Sequence, residues 1–267
     1  MNLKLAQNLT IKLAKQAGQV LLKNLERVEV VKFKDRQDIA TNLDYKVEKI
    51  IINAIRKKFP EHNILSEEVR SINKNKKSDY LWIIDPIDGT KYYIRGIPLF
   101  TISIALQYKN QIVFGLVYNP NTKEMFYAQK CRGAYLNGKK VRVSKQNNLK
   151  DAFVYVELPV FNLPINEFKK YSTIFTKLNL SSYRTRAFGS GSLGLCYVAS
   201  GDFEAYVNLG NPTAIYDLAA GLIILKEAGG KITDFKNDSI KLNKQKNSLL
   251  ILASNGKVHN DILRLLK

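Results

Sequence analysis

Residues 81–90 read Leu-Trp-Ile-Ile-Asp-Pro-Ile-Asp-Gly-Thr. Asp85 and Asp88 stand three residues apart at the end of an apolar run with strand character. Pro86 and Gly89 are turn-formers, so the backbone is expected to leave the strand here. Two anions held a few ångströms apart raise one another's pKa unless a cation neutralises them. Just beyond, the backbone N–H groups of Gly89 and Thr90 could receive a phosphate. The chemistry that suits this set is a hard divalent metal between carboxylates and a phosphate. A bare DxxD also suits a plain solvated turn, so the reading depends on what accompanies it.

Three further acidic clusters accompany it: Asp38-Ile-Ala-Thr41-Asn-Leu-Asp44, Ser66-Glu67-Glu68, and Ile215-Tyr-Asp217-Leu-Ala-Ala-Gly221. Each has a routine explanation by itself. Asp44 could cap or charge-complement a helix, Glu67 and Glu68 could be solvated loop charges, and Asp217 could favour the positive end of its own helix. The chain has only two histidines, His62 and His259. A Ser–His–Asp triad or a His-rich zinc site therefore has almost no raw material. Any metal would be held by oxygens, which points to Mg²⁺ or Mn²⁺.

The elements that must position these groups follow from periodicity. Residues 3–26 carry apolar positions at helical spacing, 28–33 read as a strand, and 42–59 form a second helix stopped by Pro60. A short strand at 63–66, a basic polar loop at 70–78 and a strand at 80–84 lead into the Asp85 turn. Residues 101–143 read as a meander with strands at 101–108, 112–118 and 124–128, and Asn137-Gly138 signals a type I′ hairpin. Composition loosens at 144–150. We expect two halves, 1–147 with most of the acidic set and 148–267 contributing Asp217 and the substrate-side loops. The second half reads as strand 152–157, helix 165–178, strand 182–187, helix 191–200, strand 203–207, helix 214–228, strands near 231 and 248, and helix 257–266. The class is α+β, layered, antiparallel-rich first and α/β after.

Composition bounds the function. The 267 residues are 45% hydrophobic and 24% charged, ordinary for a globular protein. No run approaches the ~18–20 apolar residues of a membrane span. The stretch from Met1 to Leu22 is amphipathic rather than a signal peptide, since Lys4, Lys12 and Lys15 interrupt it. Cys131 and Cys196 form no CxxC pattern and are expected reduced, in the cytoplasm. Forty-two Lys+Arg against 23 Asp+Glu give a formal +19, which favours anionic ligands. That excess is spread along the chain, and no nucleic-acid motif with interleaved aromatics stands out in the sequence.

Taken in order, the acidic clusters and the Asp-Pro-Ile-Asp-Gly-Thr run resemble the inositol monophosphatase family of Mg²⁺-dependent, lithium-sensitive phosphatases. Both family signatures are present, at 82–93 and 216–230, and the resemblance covers nearly the whole chain. It implies a layered α/β/α/β/α sugar-phosphatase sandwich, usually dimeric, with two or three Mg²⁺ ions between the halves. It implies that Glu67, Asp85 and the Ile87 carbonyl hold one metal and that Asp85, Asp88 and Asp217 hold a second. Asp44 and Thr90, with Glu67, would position and activate the attacking water. Gly89 and Thr90, beside Asp88, would cradle the phosphate, and Gly189, Ser190 and Gly191 would lie beside the substrate. Two such ions can clamp the attacking and leaving oxygens of an in-line displacement.

The substrate side departs from the family. Inositol-specific members carry a Glu shortly before the last metal Asp, and here Asn208 takes that place in Val207-Asn208-Leu209-Gly210-Asn211-Pro212-Thr213. A neutral amide makes weaker bonds to hydroxyls than a carboxylate does. Tyr216 replaces the family's Trp, and Gly191 its Ala. Inositol 1-phosphate is the first expected substrate. Fructose 1,6-bisphosphate, histidinol phosphate, NADP and 3′-phosphoadenosine 5′-phosphate are the alternatives, and Lys91 and Arg95 could meet a second negative group. Some bacterial members associate with RNA or transcription complexes, so a nucleic-acid-binding factor that retains the phosphatase site is the reading from another class.

Overall fold

The computed structural model describes residues 3–34, 39–72, 78–158, 163–210, 213–240 and 250–266. Helix α1 (Leu3–Lys23) buries Ala6, Thr10, Leu13, Ala14, Ala17 and Leu21, a spacing of three and four that lays one stripe on the core. A hairpin of β1 (Val30–Phe33) and β2 (Ile39–Thr41) follows, then α2 (Asn42–Lys58). A capping box fixes the start of α2. Thr41 Oγ1 accepts from the Leu43 and Asp44 N–H groups, while the Asp44 carboxylate accepts from the Thr41 N–H. Pro60 follows its last turn and cannot continue it.

The large sheet has eight strands. They are β3 (Asn63–Ser66), β4 (Arg70–Ile72), β5 (Tyr80–Asp88), β6 (Thr101–Tyr108), β7 (Gln111–Asn119), β8 (Glu124–Gln129), β9 (Gly133–Leu136) and β10 (Lys139–Val141), in the order β10-β9-β8-β7-β6-β5-β3-β4. Only the β3–β5 pair is parallel. The Asn137-Gly138 hairpin is present, with both residues at positive φ (49° and 83°). Two expectations need correction. Strand β4 occupies the start of what reads as a polar loop, because it pairs with β3; residues 73–77 of that loop lie outside the described residues. Strand β5 continues to Asp88 instead of ending at Ile84. Pairing with β6 resumes after a bulge between Asp85 and Asp88, where Pro86 has no N–H to give. The short helix α3 (Thr90–Tyr93) follows.

Among the described residues the smaller sheet has five strands: β11 (Phe153–Glu157), β12 (Arg184–Arg186), β13 (Ala205–Asn208), β14 (Lys231–Thr233) and β15 (Leu252–Ser254), ordered β12-β11-β13-β15-β14. The strand expected near 248 falls outside the described residues. Helices α4 (Ile165–Ser181), α5 (Gly191–Ser200), α6 (Ile215–Glu227) and α7 (His259–Leu265) complete the chain. No helix of the described residues is long and apolar enough to cross a membrane.

Burial sorts these elements into five layers. Trp82 and Ile84 of β5 face a core shared with α1 and α2. Leu81 and Ile83 point the other way, into a core shared with α5, α6 and the small sheet. Val154 and Val156 of β11 turn to a third core closed by α4 and α7. The alternation of β strands thus feeds successive cores, and the stack is α/β/α/β/α. Helix α6 is apolar on nearly every side because it lies between the sheets, with Leu218 to Leu225 all buried.

One close approach sets the seat of α6. A Cβ at Gly115 of β7 would stand 2.8 Å from the Ala220 carbonyl oxygen and 2.9 Å from its Cα. Helix backbone cannot give as a flexible side chain can. Gly115→Ala should therefore cost about 1–3 kcal/mol, or roughly 2–4 °C of Tm per kcal/mol for a chain of this size. Thermal melts check this, and an unchanged Tm would show that α6 does not press on β7.

Candidate active site

The acidic residues singled out in the sequence converge where the end of β5 meets the starts of α2, α5 and α6. Asp44 is fully buried. Its Oδ2 accepts from the Thr41 N–H at 2.8 Å and from Thr41 Oγ1 at 2.5 Å, and its Oδ1 lies 3.1 Å from Thr90 Oγ1. The Thr90 hydroxyl also lies 2.9 Å from the Ile87 carbonyl oxygen. With one hydrogen it can donate to one of them at a time and accept from a third partner. Burial pushes the Asp44 carboxyl up to about 6, against the lowering effect of the two Thr41 bonds. Gly89 makes the placement of Thr90 possible. Its φ is +90°, and a Cβ there would meet the Leu99 carbonyl oxygen at 2.7 Å.

Asp85 is 1% exposed, and its Oδ1 accepts from the Ile87 N–H at 3.0 Å. Its carboxyl is pushed well above the usual range, first by burial and then by Glu67, Asp88 and Asp217. Glu67 hydrogen-bonds to it and is itself pushed up to about 7 by burial, with Lys34 opposing. Lys34 Nζ lies 2.6 Å from Glu67 Oε1 and 2.5 Å from Glu68 Oε1. Glu67 and Glu68 are thus not solvated loop charges; their side chains are 14% and 2% exposed. Buried Glu48, one turn along α2 from Asp44, holds their loop. One of its oxygens accepts from the Ser66 hydroxyl and from the Glu68 and Val69 N–H groups.

Asp88 ties the large sheet to α5. Its Oδ2 accepts from Ser190 Oγ at 2.8 Å, from the Ser192 N–H at 3.1 Å and from the Ser192 hydroxyl. Burial raises its pKa, and these bonds and Lys91 pull it back. Lys91 and Arg95 are both exposed, and Arg95 Nη1 donates to the Lys91 carbonyl oxygen. Ser190 is held in turn by Tyr155, whose hydroxyl donates to its carbonyl oxygen and accepts from its N–H, both at 3.0 Å. Gly189 lies under the Tyr92 hydroxyl, and Gly191 faces the Tyr206 hydroxyl. Asp217 accepts from the Ala214 N–H at 2.7 Å, and its charge reaches Asp85 and Tyr216. Asn208 is fully buried, and its amide donates to Thr213 Oγ1 at 2.6 Å. Asp38 lies outside the described residues.

Several participants escaped the sequence reading. Thr41, Lys34, Glu48 and Ser192 carry no motif signal of their own. The Thr-x-x-Asp spacing at 41–44 was the one available hint, since it spells a cap. Among the described residues no three His, Cys, Asp or Glu side chains close into a finished metal cage. Asp44, Asp85, Asp88 and Asp217 each commit an oxygen to a local donor. Their chemistry still fits a hard cation. The donors are oxygens, Asp44 and Asp85 are buried with Glu67, Asp88 and Asp217 half-buried around them, and burial first and then mutual repulsion push the Asp85 carboxyl towards the protonated form.

Fold and site together define a layered α+β protein with a buried carboxylate cluster at the seam between its sheets. Residues 3–267 match the family model described as "Inositol monophosphatase family", and the chain belongs to that family. It is 36% identical to the Nus factor SuhB of Pseudomonas aeruginosa over 231 residues, 85% of this chain and 84% of that one. It is 34% identical to the fructose-1,6-bisphosphatase/inositol-1-monophosphatase of Thermotoga maritima over 263 residues, covering 96% and 93%. The crystal structure of the extragenic suppressor protein suhB from Bartonella henselae superposes with a TM-score of 0.90 at 31% identity, covering 98% of each chain.

The raised carboxyls carry a sign for stability. A group whose folded pKa lies above its unfolded value stabilises at low pH and loses that contribution as pH rises through the folded pKa. For Asp44 and Glu67 the loss should run from about pH 4 to about 6 and about 7. In EDTA the Tm should therefore fall across that window, and added Mg²⁺ should raise it at pH 8 far more than at pH 5. His259, pulled down to about 4 by burial, contributes equally with and without metal and drops out of the difference. Melts in EDTA and in Mg²⁺ measure that difference. A Mg²⁺ effect independent of pH would show that these carboxylates do not meet the metal.

Proposed function

We propose that this protein is a Mg²⁺-dependent phosphomonoester hydrolase acting on a small phosphorylated substrate, with inositol 1-phosphate as the first candidate. The observation that carries this is the Thr90 hydroxyl, 3.1 Å from a buried Asp44 whose pKa stands near 6, beside the Glu67–Asp85 pair. Glu67, Asp85, the Ile87 carbonyl, Asp88 and Asp217 are the residues that would hold two or three Mg²⁺ ions, or Mn²⁺. Those ions would supply Lewis-acid charge neutralisation and lower the pKa of water.

The chain's own residues account for the proton. Thr90 Oγ1 accepts a hydrogen bond from an attacking water while passing its own proton towards Asp44 Oδ1. Asp44 can receive it because its other oxygen stays anchored to Thr41, so the carboxylate does not turn away. Glu67, hydrogen-bonded to Asp85, would help to orient the same water. Gly89 and Thr90 present their backbone to the phosphate at the start of α3. Asp88 is held by Ser190 and Ser192, and Gly189, Ser190 and Gly191 would lie beside the substrate.

On the substrate side Asn208 offers an amide already engaged by Thr213. Recognition of a polyol by this position is therefore weaker than a carboxylate would give, and the alternative phosphates stay in the panel. Phosphate release in Mg²⁺ should be measured on inositol 1-phosphate, fructose 1,6-bisphosphate, histidinol phosphate, NADP and 3′-phosphoadenosine 5′-phosphate. Asp85→Ala should abolish turnover. Asp44→Asn should lower kcat by about 10²–10⁴-fold with little change in KM, and should flatten the acid limb of the pH profile. Wild-type rates in Asp85→Ala would overturn the assignment.

A second reading is favoured by the name of the SuhB relatives, Nus factor, and by the formal charge of +19. In it the protein also acts as a binding factor for nucleic acid or a transcription complex. Its mark would be nucleic-acid affinity with a steep salt dependence, unaffected by Asp85→Ala.

A further inference from the structure

A groove of about 490 Å³ lies between the start of α1 and the β8–β9 hairpin, on the opposite side of the β5–β6–β7 strands from β3 and β4. Strand β8 is three positions from β5 in the sheet, about 14 Å at the usual strand spacing. None of the groove's lining residues belongs to the carboxylate site. Tyr127 and Tyr135 form one wall. They are cross-strand partners, stacked with centroids 5.4 Å apart and planes 12° from parallel. Tyr135 is anchored by its hydroxyl, which donates to the Arg132 carbonyl oxygen at 3.2 Å.

A cross-strand aromatic pair would be explained by hairpin stability alone. The surroundings exceed that explanation. Exposed Lys4 and Arg132 flank the rings, the carboxamides of Gln7, Asn8 and Gln129 line the groove, and no acidic side chain does. Cations meet phosphates, planar rings meet base faces, and carboxamides donate to and accept from base edges. An acidic peptide would need only the cations. The space also suits a nucleotide-sized group.

We propose that this groove binds single-stranded nucleic acid, with a base stacked at the Tyr127–Tyr135 wall and phosphates on Lys4 and Arg132. This rests on the second reading above and gives it a location. Sequence scanning could not find it, because its halves come from residues 3–8 and 127–135. The fold brings them together by packing α1 along the large sheet.

The test is fluorescence anisotropy of the full chain with a short labelled oligouridine and the matching oligothymidine, over a salt series. Two variants are compared with wild type, Lys4→Glu/Arg132→Glu and Tyr135→Ala. Melting temperature and phosphate release in Mg²⁺ confirm that each variant is folded. We expect Tyr135→Ala to weaken binding by roughly 5- to 100-fold. The double charge reversal should reduce the slope of log K against log salt by at least about 1.4, the share of two phosphate contacts. A preference for oligouridine would assign RNA, and equal binding would assign single strands of either kind. Wild-type binding that neither variant alters would move the contact elsewhere on the basic surface and overturn the groove. No binding by the wild type would overturn the groove and, with it, the nucleic-acid part of the second reading, and equal competition by polyglutamate would replace the nucleic acid with an acidic polymer.

Discussion

The withdrawal of several neighbouring carboxylates from water, with the mutual repulsion that follows, is the constraint on which the rest of this structure depends. Glu67, Asp85, Asp88 and Asp217 come from a loop, a strand end and a helix start, and all raise the pKa of Asp85 or have their own raised by burial. No fold gathers such groups by accident, because each buried charge has to be offset by hydrogen bonds or by a cation. The local donors are visible: the Ile87 N–H for Asp85, the Ser190 hydroxyl and the Ser192 hydroxyl and N–H for Asp88, the Ala214 N–H for Asp217, and Lys34 for Glu67. They hold these carboxylates in place without removing the repulsion that Glu67, Asp88 and Asp217 exert on Asp85.

Two of the acidic residues serve their helices and the site at once. Asp44 closes the capping box of α2 and also faces Thr90. Asp217 bonds the Ala214 N–H at the start of α6 and also contributes its charge to the cluster. The routine explanations of these residues hold, and they leave the same carboxylates facing Thr90 and Asp85. Capping a helix fixes a carboxylate against its own backbone, which removes the rotamer freedom that a flexible surface acid would keep. The rigid seat of α6 against Gly115 then transmits that position to the large sheet.

This dual use explains what could be read in the sequence. The α+β class, the helices at 42–58 and 191–200 and the Asn137-Gly138 hairpin followed from periodicity and turn chemistry. The acidic residues were legible because their types and spacing stand out in the sequence, and the structure brings Glu67, Asp85, Asp88 and Asp217 into one another's field. Their supports were not. Lys34, Glu48, Ser192 and Tyr155 act through contacts between segments far apart in the chain, and no local pattern marks a hydroxyl that will meet Asp88 from another sheet layer. The extension of β5 to Asp88 was missed for a related reason. Pro86 signals a break, yet a bulge lets pairing with β6 resume beyond it.

The substrate side follows a different logic from the carboxylate side. Around Asp85, each contact is fixed by buried charge, so few residue changes are tolerable without unbalancing the field. Around Asn208 and Gly191 two contacts are uncharged, an amide donating to a threonine hydroxyl and a glycine against the Tyr206 hydroxyl, with buried Glu157 opposite Asn208 on the neighbouring strand. Uncharged contacts do not depend on the charge balance around Asp85, so this wall can vary without unbalancing the carboxylates, provided that each buried polar group keeps a partner. The same separation extends to the outer surface. The groove beside Tyr127 and Tyr135 shares no lining residue with the seam, so its residues can change without touching the contacts that hold the carboxylates.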